Sequence, residues 1–329
     1  MKMIHKIKHF IILSAIAFNF HSVQASTDQE AKKSLLIDEL IQEHGFDEQY
    51  VLNIFENMKF LPELIESISR PAERTKTWPE YRKIFVTNKR IAAGVLFAKQ
   101  HGEAIDRAAR EMGVPKKILL GILGVETYFG RIQGNYKVVD SLYTLATGYP
   151  PRSKFFRSEL INLFYLCREE GLSILDIKGS YAGAMGAPQF ISSSYRNYAV
   201  DGNADGKIDL FNSWDDVLMS IGNYLKKNGW DKSGLIYSRY PRNDTKLSNL
   251  ASKTIKPTST IQDLLDEGIK IDGFEEDDIA QLIQLDGLDD KDDSYIGHHN
   301  FYVITTYNRN VMYALVVIQL GEAIDSYLY

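Results

Sequence analysis

The sequence predicts a mainly α-helical fold with a small α/β portion. Apolar residues recur at helical spacing through most of the chain up to about Trp230, whereas residues 231 to 300 hold Pro241, Pro257, a Ser/Thr-rich "TSTIQDLL" and the acidic run "DGLDDKDDS". The composition, 44% hydrophobic and 25% charged over 329 residues, is that of a globular chain long enough for a sizeable core.

Positions 1–25 read as a secretory signal peptide: a basic stretch to His9, an apolar stretch from Phe10 to Phe20, and the small residues Val23 and Ala25 before the expected cut. The apolar stretch is about half the roughly 20 residues a membrane-spanning helix needs, so no stable membrane anchor is expected. The single cysteine, Cys167, permits no intrachain disulfide and lies far from the cleavage point. A net charge of −5 offers no basic surplus for nucleic acid.

Residues 26–230 form the expected helical region. Leu36, Leu40 and Ile41, then Val51, Leu52 and Phe55, give two short helices broken at Gly45. Periodicity returns over 84–112 and stops at Gly113, and Pro115 suits the first turn of the next helix. Loops are expected around 131–153 and 178–188. Residues 231–300 predict a smaller lobe with short strands. Residues 301–329 predict a short strand, a turn at Asn308 to Asn310 and a final helix that returns to the main body.

Within "GILGVETYFG", Glu126 ends a nearly unbroken apolar run and shares a helical face with Leu119 and Ile122. An apolar setting disfavours a carboxylate, which is how a carboxyl group stays protonated near neutrality and serves as a general acid. A bland alternative pairs it with Arg131 or with a backbone group. Asp140 is the next acidic residue, and Glu159 falls in a pattern that reads as structural, so no second catalytic carboxylate is evident. A sugar-cleaving site here would need one carboxyl group to act twice.

"DGNADGKIDLFNSWDD" sets Asp201, Asn203 and Asp205 at alternate positions, with Gly206 for the sharp turn and the Lys207 carbonyl next in line. That is the ligand pattern of a calcium loop, although position 12 is Asn212 and closure would fall to Asp215 or Asp216. "KGSYAGAMGAPQF" packs small residues around Ser180, Met185 and Gln189, with Gln189 expected in the first turn of a helix begun by Pro188.

Together with "GVETYFGRIQGNYKVVDSLYTLA" and "NFYVITTYN", these motifs resemble the lytic murein transglycosylase B family, glycoside hydrolase family 103, in the family's own order from about residue 30 to the end. The resemblance implies a lysozyme-like catalytic domain with an EF-hand-like calcium loop over 201–215 and a small β-containing lobe. It implies cleavage of peptidoglycan glycan strands at the MurNAc-β-1,4-GlcNAc bond without water, giving 1,6-anhydroMurNAc ends, with Glu126 as acid and then base. It further implies that Ser180 meets the substrate's acetamido group, that Gln189 lines the glutamate's pocket, and that Tyr81, Tyr224, Tyr307, Asn308 and Met185 belong to the groove.

By the same resemblance, structural calcium is held by Asp201, Asn203, Asp205, Lys207 through its carbonyl, and Asp215; no organic cofactor is expected. Where the family pairs two arginines, "YPPRS" leaves Arg152 as the one cation to meet a stem peptide. The founding member's lipid-bearing cysteine has no counterpart here, so a soluble periplasmic enzyme is expected, with cell-wall synthesis or division proteins as partners. A non-catalytic peptidoglycan-binding protein and a water-using muramidase stand as alternatives.

Overall fold

The computed structural model describes residues 28–70, 75–241, 255–268, 278–283, 285 and 293–328. The expected signal peptide and most of the acidic run lie outside them. The chain enters the described region in helix α1 (28–42), which Gly45 ends with φ +64. α2 (Glu48–Asn57) starts where the Asp47 side chain accepts the Tyr50 N–H at 2.8 Å. After α3 (Glu63–Ser69), a Thr77/Glu80 capping box opens α4 (Trp78–Phe85). The 84–112 periodicity resolves into α5 (Asn88–Gln100) and α6 (Gly102–Met112), closed by left-handed Gly113. α7 (Lys116–Thr127) follows Pro115 and carries Glu126 in its last turn.

The expected loop over 131–153 is mostly helix: α8 spans Val138–Gly148, and a 3₁₀ turn, Pro150–Arg152, leads into α9 (Ser153–Glu170). Every residue of α8 from Val138 to Thr147 is buried. A helix wrapped on all sides has no polar face, so its sequence lacks the amphipathic period by which helices are recognised. β1 (Tyr136–Lys137) pairs antiparallel with β2 (Lys178–Gly179), which ties the entry of α8 to the glycine-alanine loop. α10 (Ser192–Tyr198) and α11 (Trp214–Lys227) complete this body.

A four-stranded antiparallel sheet stands beside it in the order β3 (Tyr237–Pro241), β6 (Asp293–Gly297), β5 (Ile279–Ile283), β4 (Ser259–Thr260). With α12 (Ile261–Asp266) it encloses a small separate core of Ile261, Leu264, Ala280, Leu282 and Ile296. The strand expected after residue 300 is instead α13 (His299–Tyr307). Its Val303, Ile304 and Thr305 favour strands by β-branching, but Phe301, Val303 and Ile304 are fully buried against the main core, and that packing outweighs propensity.

The final helix, α14 (Val311–Asp325), runs antiparallel along α7. Gly121 faces the Val317 carbonyl and Gly321 faces the Lys117 carbonyl so closely that a Cβ at either glycine would collide with backbone. The same antiparallel register, continued toward the end of α7, brings Tyr313 to Glu126.

Candidate active site

Glu126 is half-buried, and its Oε1 accepts a hydrogen bond from the Tyr313 hydroxyl at 2.5 Å. Tyr128, Phe129 and Gly130 all have positive φ, at 54°, 59° and 78°, so α7 unwinds abruptly directly after Thr127, two residues beyond Glu126. Two consecutive non-glycine residues in this region carry strain that the surroundings must hold. Thr127 supplies part of that hold: its hydroxyl donates to the Ala187 carbonyl at 2.8 Å and accepts from the Gly130 N–H at 3.0 Å, binding the helix end to the 178–190 loop.

Phenols gather around the carboxyl group. Tyr313 is 2% exposed and lies near-parallel to Tyr307, centroids 6.3 Å apart; Tyr307 packs on Tyr224 at 4.8 Å. Burial, and then the charge of Glu126, push the Tyr307 and Tyr313 phenols well above their ordinary range, so both remain protonated donors. Tyr307 donates to the Pro188 carbonyl at 2.6 Å and Tyr224 to the Thr306 carbonyl at 2.7 Å. Burial likewise raises Tyr224.

The structure thus joins Glu126, Tyr307 and Tyr224 in one cluster. Tyr81 is buried against Phe85 and close enough to Tyr313 for their charges to interact. Asn308 ends α13, its carbonyl accepting the Asn310 N–H at 2.6 Å. Ser180 is half-buried, and its Oγ accepts the Ala184 N–H at 3.0 Å. Met185 is fully buried beneath this loop, bridged to Gly179 and Phe190.

Gln189 is not in a helical first turn: its φ is +53°, and the next helix begins at Ser192. Its amide donates to the Gln133 and Gly186 carbonyls, both at 3.1 Å, so it locks two loops together. Arg152 is exposed at the head of α9 with its guanidinium 4.1 Å from the Phe155 ring centroid.

Sequence reasoning missed Tyr313 and Thr127. Asn310, whose side chain accepts the Met312 N–H at 2.7 Å and the Tyr313 N–H at 3.3 Å, was the one local sign that a helix start fixes Tyr313.

In the 201–215 loop, the donor set is all oxygen, as a hard cation requires. Asp201 accepts the Asp205 and Gly206 N–H groups at 3.2 and 2.7 Å, Asn203 accepts the Asp205 N–H at 3.0 Å, and Gly206 turns with φ +87°. These bonds curl Asp201, Asn203 and Asp205 into one turn. Asp215 bonds Arg107 through Oδ1. Asp216 is 1% exposed and ties the two ends of the loop, accepting from the Gly202 and Asp209 N–H groups, each at 2.8 Å. The residues fit calcium in chemistry, while the Asp215 carboxylate is ion-paired with Arg107.

The family description "Transglycosylase SLT domain" matches residues 28–322. The chain belongs to this transglycosylase family. It is 36% identical over 303 residues to the membrane-bound lytic murein transglycosylase B of Escherichia coli (strain K12), spanning 88% of this chain and 81% of the relative. The catenated lytic transglycosylase SltB1 of Pseudomonas aeruginosa superposes with TM-score 0.85 at 39% identity, covering 90% of this chain and 97% of the other. Escherichia coli Slt35 in complex with calcium superposes with TM-score 0.81 at 34% identity, covering 90% and 93%. The chain is therefore a lytic transglycosylase with that family's lysozyme-like helical fold. No described helix is long and apolar enough to cross a membrane.

Proposed function

We propose that this enzyme cleaves the β-1,4 bond between N-acetylmuramic acid and N-acetylglucosamine in peptidoglycan without water, using one carboxyl group twice. Protonated Glu126 gives its proton to the glycosidic oxygen as the bond to C1 breaks. As a carboxylate it then takes the proton of the muramoyl C6 hydroxyl while that oxygen bonds to C1, closing a 1,6-anhydro ring. The observation that carries the reading is Glu126, at the end of an apolar helix, bonded to a buried phenol in a transglycosylase fold. Phenols surround it, where a retaining glycosidase would set a second carboxylate about 5 Å away.

In this reading Ser180 meets the acetamido group and Gln189 shapes the pocket wall. Tyr81, Tyr224, Tyr307, Asn308 and Met185 form or support the groove, and Arg152 meets stem-peptide carboxylates. Asp201, Asn203, Asp205, the Lys207 carbonyl and Asp215 would hold calcium, whose charge would draw these oxygens together and fix the 201–215 turn. The enzyme works in the periplasm after export, beside cell-wall synthesis or division proteins.

Digestion of purified sacculi followed by mass spectrometry tests the chemistry. Anhydromuramoyl products, lighter by one water than hydrolysis products, are expected. Reducing ends would make the enzyme a hydrolase, and no soluble product would make it a binding protein. Glu126→Gln should lower turnover by at least about 10³-fold while leaving the fold intact; a variant that keeps turning over removes Glu126 from the mechanism.

A further inference from the structure

Two cations beside the exit of α7 have no part in the proposed chemistry. The guanidinium carbon of Arg90 stands 4.9 Å from the Tyr128 ring centroid, and that of Arg131 stands 5.2 Å from it. Arg90 also lies 5.1 Å from the Phe85 ring centroid. Such distances give a cation–π attraction, but a ring supplies no counter-charge. Among the described residues neither arginine forms an ion pair, and Nη1 of Arg90 is buried with no hydrogen-bond partner.

For the fold alone, Arg90 is a costly placement. It is half-buried, and burial pulls its guanidinium below the usual arginine range, with the Tyr128 phenol acting the other way. It also sits in the first turn of α5, which holds no acidic residue, and its N–H donates to the Thr87 hydroxyl at 3.2 Å. A helix N-terminus already favours an anion, so a cation in that turn adds to an unmet positive charge. Arg131 is exposed and adds a second charge on the same ring. Its backbone is held in a tight turn, because the Gly130 and Ile132 N–H groups bond the Thr127 hydroxyl and carbonyl at 3.0 and 2.9 Å.

Two routes tie this basic pair to Glu126. Along the chain, Tyr128 is two residues past Glu126, so their Cα atoms are at most about 7.6 Å apart. Through space, Phe85 packs on Tyr81 with centroids 5.1 Å apart, and Tyr81 interacts with Tyr313, the donor to Glu126. A muramoyl residue with C1 at Glu126 carries its stem peptide on the lactyl group of the same sugar. The carboxylates of that peptide are therefore within reach of groups beside Glu126.

We infer that Arg90 and Arg131 are specificity-determining residues that bind stem-peptide carboxylates of the muramoyl unit being cleaved. The inference rests on the glycan-strand reading given above and names the part of the substrate that this pair takes. A guanidinium placed over a ring spends its face there and keeps its in-plane N–H donors for a carboxylate. Hydrogen bonds between ionised partners are the stronger kind, and the peptide brings the counter-charge that the fold does not. The pair is separate from Arg152, whose guanidinium stands over Phe155 and Phe156 on α9.

Soluble glycan strands provide the test, prepared from sacculi with an endopeptidase, which leaves the peptides on, or with an amidase, which removes them. The quantity read is the ratio of kcat/KM for peptide-bearing strands to that for peptide-free strands. Arg131→Ala, at an exposed side chain, should lower this ratio about 10-fold, and Arg90→Gln at least as much, as expected when a charge-assisted hydrogen bond is lost. Arg90→Lys keeps the charge without the planar fork and should fall between parent and Arg90→Gln. Amidating the carboxylates of peptide-bearing strands should bring the parent to the ratio of the variants. If the cations only brace the strained turn, the variants lose thermal stability and slow equally on both strands; an unchanged ratio overturns the inference. A parent that treats amidated and unmodified strands alike also overturns it. Product masses separate the two levels: reducing ends or no cleavage remove the transglycosylase reading. The ratio of dissociation constants for the two strands, measured on the same proteins, then decides the carboxylate site, and an equal ratio in parent and Arg131→Ala overturns it.

Discussion

Glu126 and Glu159 are both carboxylates set among apolar neighbours on helices of the same body, and they are held in opposite ways. Glu159, 3% exposed on α9, gives both oxygens to one residue of α10: Oε2 accepts the Ser193 N–H and Oε1 the Ser193 hydroxyl, each at 2.8 Å. Glu126 is half-buried, and its Oε1 meets a phenol delivered from α14. A carboxylate whose two oxygens are both committed to a neighbouring helix is a fastener. In the proposed mechanism Glu126, half-buried at a helix end beside a buried phenol, instead exchanges a proton. Burial alone does not tell the two apart; partner geometry does.

The largest effect expected from this contrast is at Glu159. Glu159→Ala strands the Ser193 N–H and hydroxyl and opens a cavity between α9 and α10, a loss of about 2–4 kcal/mol in denaturant unfolding. The folded fraction should cleave sacculi at the parent rate. Burial raises Glu159 above its usual carboxylate range, with the Ser193 bonds pulling in the other direction. A raised carboxyl stabilises the fold most at low pH, and that contribution is lost as pH climbs through the folded-state value. Glu159→Gln should accordingly cost less than half as much as Ala at neutral pH. A Glu159→Gln enzyme that is fully stable but inactive would abolish the distinction between fastener and catalyst.

How far the sequence reveals this depends on distance along the chain. Glu126 is visible because a charge interrupting an apolar helix is a local anomaly. Tyr313 is invisible because 187 positions separate it from Glu126 and only the α7–α14 register unites them. The helices up to Met112 announce themselves through period, caps and glycine stops. α8, buried all round, and α13, rich in β-branched residues, do not, because tertiary packing decides both. The calcium-like spacing can be read directly, whereas the diversion of Asp215 to Arg107 depends on a helix about a hundred residues away. Gln189 was misplaced for the same reason: Pro188 suggested a helix start, but the bonds of Gln189 to the Gln133 and Gly186 carbonyls hold a left-handed turn.

The β-containing lobe offers a titrating counterpart of opposite sign. His298, 4% exposed where the lobe joins α13, contacts the Ser238 hydroxyl through Nε2 at 2.9 Å, and burial lowers it to about 4 despite the charge of Asp278. Between about pH 6.5 and 4 the unfolded chain binds a proton that the folded chain refuses, so stability falls as pH drops through that window, by on the order of 3 kcal/mol in full. Raised Asp140 and Glu159 act against it. The difference between parent and His298→Gln isolates the histidine. In urea unfolding, going from pH 6.5 to 4.5 should cost the parent more stability than the variant, whatever the sign of the net change; identical changes would place this pH sensitivity in the helical body.

The smallest effect expected is at the 201–215 loop, where carboxylates are organised by backbone N–H groups rather than by a helix. The Asp205 and Gly206 N–H groups hold the Asp201 carboxylate in the turn, and buried Asp216 clamps the two ends of the loop, so much of the loop's order comes from its own hydrogen bonds. If calcium binds the folded chain alone, removing it costs about 1.4 kcal/mol where free calcium is ten-fold above Kd, and correspondingly more at higher ratios. Chelation should therefore lower Tm by a few degrees, and added calcium should restore it. Asp201→Ala should abolish the response without changing the products from sacculi, because the loop's carboxylates lie outside the Glu126–Tyr313 cluster. Arg107→Ala, which frees Asp215 from its ion pair, should strengthen the calcium response. A Tm indifferent to chelation in both the parent and Arg107→Ala would mean that the loop is organised by its own hydrogen bonds and takes no ion.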